Sequence, residues 1–286
     1  MPIVYDKLLA LNIPEVAQTY TERDAILYAL GIGLGRDPMD EHELPFVYER
    51  NLKVLPPFAA VLGWPGFWVR DLDIGIDWVK VVAGEQGLVL HRRLAARGTA
   101  IGRTRVTEII DKGPGKGAHV YSERDLIDGA SGEKIATVTQ TTICRGDGGF
   151  GGPARAAPAV HPIPQRPPDF VCDRGTRPEA ALIYRLSGDP NPLHADPAVA
   201  KQAGFSRPIL HGLASFGIAC HGILKCLCDH DPGLLKAISG RYSAPVFPGE
   251  TIRTEMWRDG AIVSFRARVV ERDVIALDHG RCELTV

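Results

Sequence analysis

The amino-acid sequence predicts an α+β protein built as a tandem of two similar units, each a helix wrapped by an antiparallel sheet. A glycine- and proline-rich segment from Gly146 to Pro168 divides the 286 residues almost in the middle. An early helical pattern stands in each half, and alternating segments rich in β-branched residues close each half.

In the first half, Thr21 to Leu30 reads as a short helix, capped by Thr21 and stopped by Gly31. Gly102 to Ile110, His119 to Asp125 and Lys134 to Cys144 alternate with period two, the pattern of half-buried antiparallel strands. Gly146-Asp-Gly-Gly-Phe-Gly-Gly-Pro and the Ala/Pro-rich stretch ending at Pro168 have linker chemistry. The expected organisation is a first repeat over 1–150, a linker over 151–168 and a second repeat over 169–286. In that second repeat, Thr176-Arg-Pro-Glu179 has capping-box spacing and opens a helix through Leu186. Laying Tyr28 on Tyr184 puts Leu30 on Leu186 and Gly33 on Asp189. From Gly212 to Cys228, apolar Leu213, Phe216, Cys220, Ile223, Leu224 and Leu227 recur at helical spacing. Thr251 to Trp257, Ala261 to Val270 and Val274 to Val286 supply the closing strands.

Composition narrows the function. Lys and Arg number 33 against 34 Asp and Glu, so the net charge of −1 gives no general attraction for nucleic acid or an anionic membrane. A phosphate-bearing ligand must then be met by a local basic patch. No stretch approaches the roughly 20 apolar residues of a membrane span, and neither a signal peptide nor a peroxisomal tail is recognisable. A cytoplasmic location is expected. The six cysteines, at 144, 172, 220, 226, 228 and 282, lack the spacing of a zinc knuckle and are expected to be buried small hydrophobes.

The informative segment runs from Tyr184: Tyr-Arg-Leu-Ser-Gly-Asp189-Pro-Asn191-Pro-Leu-His194-Ala-Asp196-Pro. A helix ends at Gly188 and another starts with Asp196 as N-cap and Pro197 at N1. Asp189, Asn191 and His194 therefore share a tight, proline-stiffened loop, where an acid, an amide and an imidazole can hold and deprotonate one water. The same residues also suit a simple turn in which Asp189 and His194 only cap helices and bond backbone. Asp196 is fully explained as a cap.

Tyr184 to His194, followed by Ala203-Gly-Phe and Pro208-Ile-Leu-His-Gly-Leu213, resembles the signature of MaoC-like dehydratases and hydratase 2. Tyr20 to Gly33, Gly84-Glu-Gln86, Gly148-Gly-Phe-Gly-Gly152 and Glu255-Met-Trp257 resemble the hydratase-2 domain of peroxisomal multifunctional enzyme type 2, here in a stand-alone form. The resemblance implies a double hot-dog fold and reversible hydration of trans-2-enoyl-CoA to (3R)-3-hydroxyacyl-CoA in fatty-acid metabolism. It implies no cofactor or metal, a CoA thioester as substrate, and a homodimer. The second repeat would carry the catalytic loop. The first, which has Gly33 opposite Asp189, would be degenerate and accommodate the acyl chain.

Carried over by position, Asp189 and His194 match the catalytic pair, Asn191 a water-positioning partner, and Gly212 the glycine whose amide faces the thioester oxygen. Gly212 also starts the long helix, where free N–H groups and the dipole favour developing negative charge. Tyr28, Glu49 and His91 match protic or pocket positions of the family, and Tyr184 lines the same site. Tyr28 reads first as a helix side chain packed in the core. Glu49 is an acid in an apolar, aromatic stretch. Beside His91, the family's proline is replaced by Arg93. Gly149 and Phe150 offer CoA contacts from the glycine-rich joint, and Arg207 and Arg241 are candidates for its phosphates. Two other readings stay open: a hot-dog thioesterase and a non-catalytic acyl-CoA-binding protein.

Overall fold

The computed structural model describes residues 2–285, so Met1 and the Val286 end of the last predicted strand lie outside the described residues. The first half contributes β1 (Val16–Tyr20), β2 (Val81–Leu90), β3 (Gly98–Asp111), β4 (Ala118–Asp128) and β5 (Lys134–Cys144). The second contributes β6 (Phe170–Gly175), β7 (Leu235–Tyr242), β8 (Thr251–Asp259), β9 (Ile262–Val269) and β10 (Val274–Leu284). They form one antiparallel sheet in the order β1-β3-β4-β5-β2-β7-β10-β9-β8-β6. Read inward from either edge, each half has its first, third, fourth, fifth and second strand in turn. The duplication is thus written in the topology. The halves join where β2 pairs with β7, with Glu85 opposite Arg241 and Val89 opposite Ala237.

The six predicted strands are present. Four others, β1, β2, β6 and β7, carried no sequence signal. The pair at the seam shows why: β2 includes two glycines and β7 reads Leu-Lys-Ala-Ile-Ser-Gly-Arg-Tyr, without clean alternation. Flanked on both sides, such strands take their order from their neighbours more than from their own pattern.

The helices are α1 (Tyr5–Leu9), α2 (Glu22–Gly31), α3 (Leu44–Val47), α4 (Trp68–Asp71), α5 (Ala180–Tyr184), α6 (Pro197–Gln202) and α7 (Gly212–Leu227). Helix α2 starts as predicted: Asp24 Oδ2 accepts from both the amide and the hydroxyl of Thr21, at 2.7 and 2.8 Å. The predicted start at Thr176 is corrected. Thr176 Oγ1 donates to the Glu250 carbonyl at 2.8 Å and accepts from the Gly249 amide at 2.9 Å, so it serves the β7–β8 turn and the helix begins at Ala180.

Helix α7 is buried all round from Ala214 to Leu224, a central helix rather than a surface one. Gly217, Ala219 and Gly222 keep its surface slim. The first half does not repeat it. Its counterpart is a 3-10 turn at Pro56–Ala60, because Gly63 and Pro65 follow too soon for a long helix. One core runs through both halves, from Phe58 and Leu62 to Phe216, Ile223 and Phe265. No helix among the described residues is long and apolar enough to cross a membrane. Five of the six cysteines are buried and Cys226 is half-buried.

Candidate active site

The loop between α5 and α6 carries Asp189, Asn191 and His194, and proline stiffens it at 190, 192 and 197. The Asp189 carboxylate divides its work. Oδ1 accepts from the Asn191 amide at 3.1 Å, which is turn chemistry, while Oδ2 lies 4.0 Å from His211 Nε2. Asn191 is exposed, and its Oδ1 caps the following 3-10 turn by accepting from the Leu193 amide at 3.1 Å. Its side-chain oxygen thus already serves the backbone, and its Nδ2 group remains to donate to a water. Asp196 caps α6 through the Ala198 amide, as predicted.

His194 is buried, and its Nδ1 lies 2.9 Å from the Ile209 carbonyl oxygen. A carbonyl can only accept, so Nδ1 carries the proton and Nε2 presents its lone pair. Burial lowers the His194 pKa, against smaller opposing contributions from the Ile209 bond and Asp189. The ring is thus a neutral base at physiological pH.

His211, which in the sequence stands within the Pro208–Leu213 motif just before Gly212, is brought into the centre of the site. Its ring stacks on His194 with centroids 3.7 Å apart, and Nε2 donates to the Asp189 carbonyl oxygen at 3.4 Å. Burial first, and the neighbouring His194 second, push its pKa down to about 3. Beyond it stands Tyr184, ring centroids 4.9 Å from His211, then Tyr28 at 5.7 Å from Tyr184, then Phe58 at 5.5 Å from Tyr28. This aromatic column joins the two halves and makes the paired tyrosines of the internal alignment direct neighbours. The hydroxyls of Tyr28, Tyr184 and Tyr242 and Nδ1 of His211 are buried without hydrogen-bond partners. Buried polar atoms are normally satisfied, so this cluster lines a place where a polar reactant would be held.

Gly212 opens α7 immediately after His211. An added Cβ there would lie 2.9 Å from the Tyr242 ring, so only glycine lets the helix start approach β7 this closely. Asp189, His194 and His211 each offer a donor atom within 4.8 Å of the others, a set that could in principle hold a metal. The two imidazoles of that set are stacked, with planes 26° apart.

The other candidate contact residues have varied surroundings. Glu49 is exposed beyond α3. The acid buried in that region is Glu43, which pairs with Arg174 at 2.6 Å and accepts from the Gly35 amide at 3.0 Å. His91 is exposed where β2 ends, with Nε2 2.9 Å from Thr137 Oγ1. Arg241 pairs with Glu85 of β2 at 3.2 Å. Strand alternation places it on the face opposite Tyr242, which packs against Gly212, so it points away from α7. Arg207 is exposed and lies over the Phe247 ring, 5.1 Å from its centre, where a ligand phosphate can reach it.

The glycine-rich joint is not an empty cradle. Amides of Gly149 and Gly151 donate to the Asp111 carboxylate at 2.7 and 3.0 Å, as does Gly113 at 2.8 Å. Phe150 packs against the smaller core cluster around Trp68 and Ile109. Burial alone would raise the Asp111 pKa, but these amides overturn it and hold the carboxyl below its ordinary value. A depressed folded-state pKa stabilises the protein above the unfolded value near 3.9, and that contribution is lost as pH falls through the folded value. Asp111→Ala is expected to cost on the order of 3 kcal/mol at pH 7, and the deficit should shrink below about pH 4. Urea melts of both proteins at pH 7 and pH 3.5 check this, and a deficit independent of pH would contradict it.

Two family profiles match the chain, the MFE-2 hydratase 2 N-terminal domain over residues 18–146 and the MaoC like domain over residues 159–279. Peroxisomal enoyl-CoA hydratase 2 of Arabidopsis thaliana is 42% identical, over 95% of this chain and 93% of its own length. Peroxisomal multifunctional enzyme type 2 of Mus musculus is 35% identical over 96% of this chain, which spans 37% of that longer protein. The crystal structure of a MaoC-like dehydratase from Phytophthora capsici superposes with a TM-score of 0.86 at 35% identity, covering 98% of both chains. A Mycobacterium tuberculosis protein described as a double hotdog fold matches at a TM-score of 0.53 and 18% identity, over 99% of this chain and 98% of its own, and shares the fold alone.

Proposed function

Because this chain belongs to the hydratase 2 family of MaoC-like proteins, we propose that the Asp189–His194 loop is its catalytic centre. The enzyme is an (R)-specific enoyl-CoA hydratase that interconverts trans-2-enoyl-CoA and (3R)-3-hydroxyacyl-CoA in acyl-CoA metabolism. The observation that carries the assignment of the site is the fixed tautomer of His194: Nδ1–H is tied to Ile209 and Nε2 is left to take a proton.

In this reading a water between the pair attacks C3 and gives its proton to His194 Nε2. Asp189 delivers a proton to C2 on the same face. As C3 is attacked, charge gathers on the thioester oxygen, and the free amide of Gly212 stabilises it more than the ground state. Return of the proton from the imidazolium to the carboxylate resets the pair, and the sequence runs backward for dehydration. His211, held neutral, orients Asp189 and stacks on His194. Arg207 meets a CoA phosphate, and the first half takes the acyl chain. A chain-length profile of Leu30→Trp checks that last placement, since equal losses for short and long chains would remove it.

No proton in this scheme needs a metal or nucleotide. Purified protein given trans-2-butenoyl-CoA with chelator present should yield the 3R alcohol, resolved on a chiral column. A 3S product or loss of activity with chelator would defeat the reading. Release of free CoA, seen with a thiol reagent, would favour a thioesterase. Because burial lowers the His194 pKa and the base must be neutral, the acidic limb of kcat/KM should rise with pH through a midpoint below the free imidazole value of about 6.5. A midpoint at or above 6.5 would exclude His194 as the base. A homodimer in the cytoplasm belongs to the same reading, and sedimentation of the purified enzyme and cell fractionation test those two points.

A further inference from the structure

Arg124 lies on β4, whose alternate residues Val120, Ser122, Arg124 and Leu126 face inward. Its residue is 6% exposed, yet only burial acts on its ionisation, pushing the pKa down to about 10. The guanidinium is therefore cationic at neutral pH. Among the described residues no carboxylate pairs with it: the acids beside it in the chain, Glu123 and Asp125, point to the other face and pair with Arg105. Its one hydrogen bond runs from Nη2 to the carbonyl oxygen of Ala60, in the 3-10 turn that carries Phe58. Nε is buried with no partner, and so is the hydroxyl of Thr104 on the neighbouring strand.

Both border a small cavity lined also by Trp64, Trp68, Ser122 and Gln140. Its free volume is about 10 Å³, room for one occupant the size of a water or a halide. The lining supplies a guanidinium, hydroxyls, an amide and indole N–H groups, and no acid. A buried cation without a counter-charge is costly, and a lining that offers several donors around a guanidinium and holds no acid suits an anion.

We propose that this cavity is a binding site for one small monovalent anion of the halide class, held by Arg124 Nε and Thr104 Oγ1. The anion supplies the missing counter-charge. It thereby fixes the Arg124–Ala60 link between sheet and turn, and the Trp64–Trp68 segment closes over it. The site is separate from the Asp189–His194 centre and does not depend on the hydratase reading.

The test compares the full-length protein in sodium chloride and in sodium gluconate at equal ionic strength. Chloride well above its Kd should raise Tm by roughly 3–8 °C. Arg124→Met should abolish the difference while leaving the small general salt response. Anomalous diffraction from crystals soaked in sodium bromide provides a second readout on the wild-type protein, needed if Arg124→Met does not fold. A bromide peak within hydrogen-bonding reach of Arg124 Nε supports the site. Equal Tm in the two salts, or bromide found only at surface positions with water beside Arg124, overturns it.

Discussion

Asp189→Asn and His194→Gln should each lower kcat by about 10²–10⁴, the usual worth of a positioned acid or base, while KM changes little. Asparagine keeps an oxygen that can accept from the Asn191 amide, so the turn at Asp189 Oδ1 survives and only the proton-transfer group is lost. Glutamine at 194 can still donate to the Ile209 carbonyl but offers no basic nitrogen in place of Nε2. Both variants should therefore fold, and circular dichroism with a thermal melt confirms that first. The pH profile separates chemistry from structure, because His194→Gln should erase the acidic limb while a loop that has merely loosened would keep it. A folded variant retaining more than about a tenth of the wild-type rate, a loss under roughly 1.4 kcal/mol, would remove that residue from the mechanism.

Gly212→Ala should lower kcat by about 10²–10³, the scale of one lost oxyanion donor. Alanine is well tolerated at a helix start, so the loss is steric. Its Cβ would sit 2.9 Å from Cε1 and 3.2 Å from Cζ of Tyr242, and either the ring or the first turn of α7 must move. Moving the turn shifts the amide proposed to face the thioester oxygen, whose effect would fall on the transition state more than on substrate binding. Combining Gly212→Ala with Tyr242→Leu gives the methyl group room, and the double variant should recover part of the rate relative to Gly212→Ala. A loss under tenfold, or a change confined to KM, would show that this amide does not face the developing charge.

The parts of the site legible in sequence are those the chain builds locally. Asp189 and His194 stand in one short loop, and the same few residues supply its prolines, the Asp196 cap and the Asn191 turn bond. The long apolar run predicts α7, and six strands announce themselves by alternation. Neighbours along the chain dictate such features through fixed backbone geometry, so composition and spacing suffice to read them.

What the sequence could not place depends on partners far away in the chain. His211 reaches Asp189 across 22 residues, and Asp111 fills the glycine cradle from 38 residues before it. Glu43 is buried, and Glu49 exposed, because Arg174 of the second half reaches the first and not the second. Arg241 turns outward because the register of β7 against β2 and β10 fixes its face, and nothing in its own segment reveals that register. The sequence by itself determined the duplicated α+β plan, the Asp189–His194 loop and the family. The tertiary structure alone decided which histidine joins the pair, which glycines are already occupied and which charges face the reaction. Hydrogen bonds and charges pair with whatever the fold brings within about 3–4 Å, and that proximity is set by sheet register and helix packing rather than by distance along the chain.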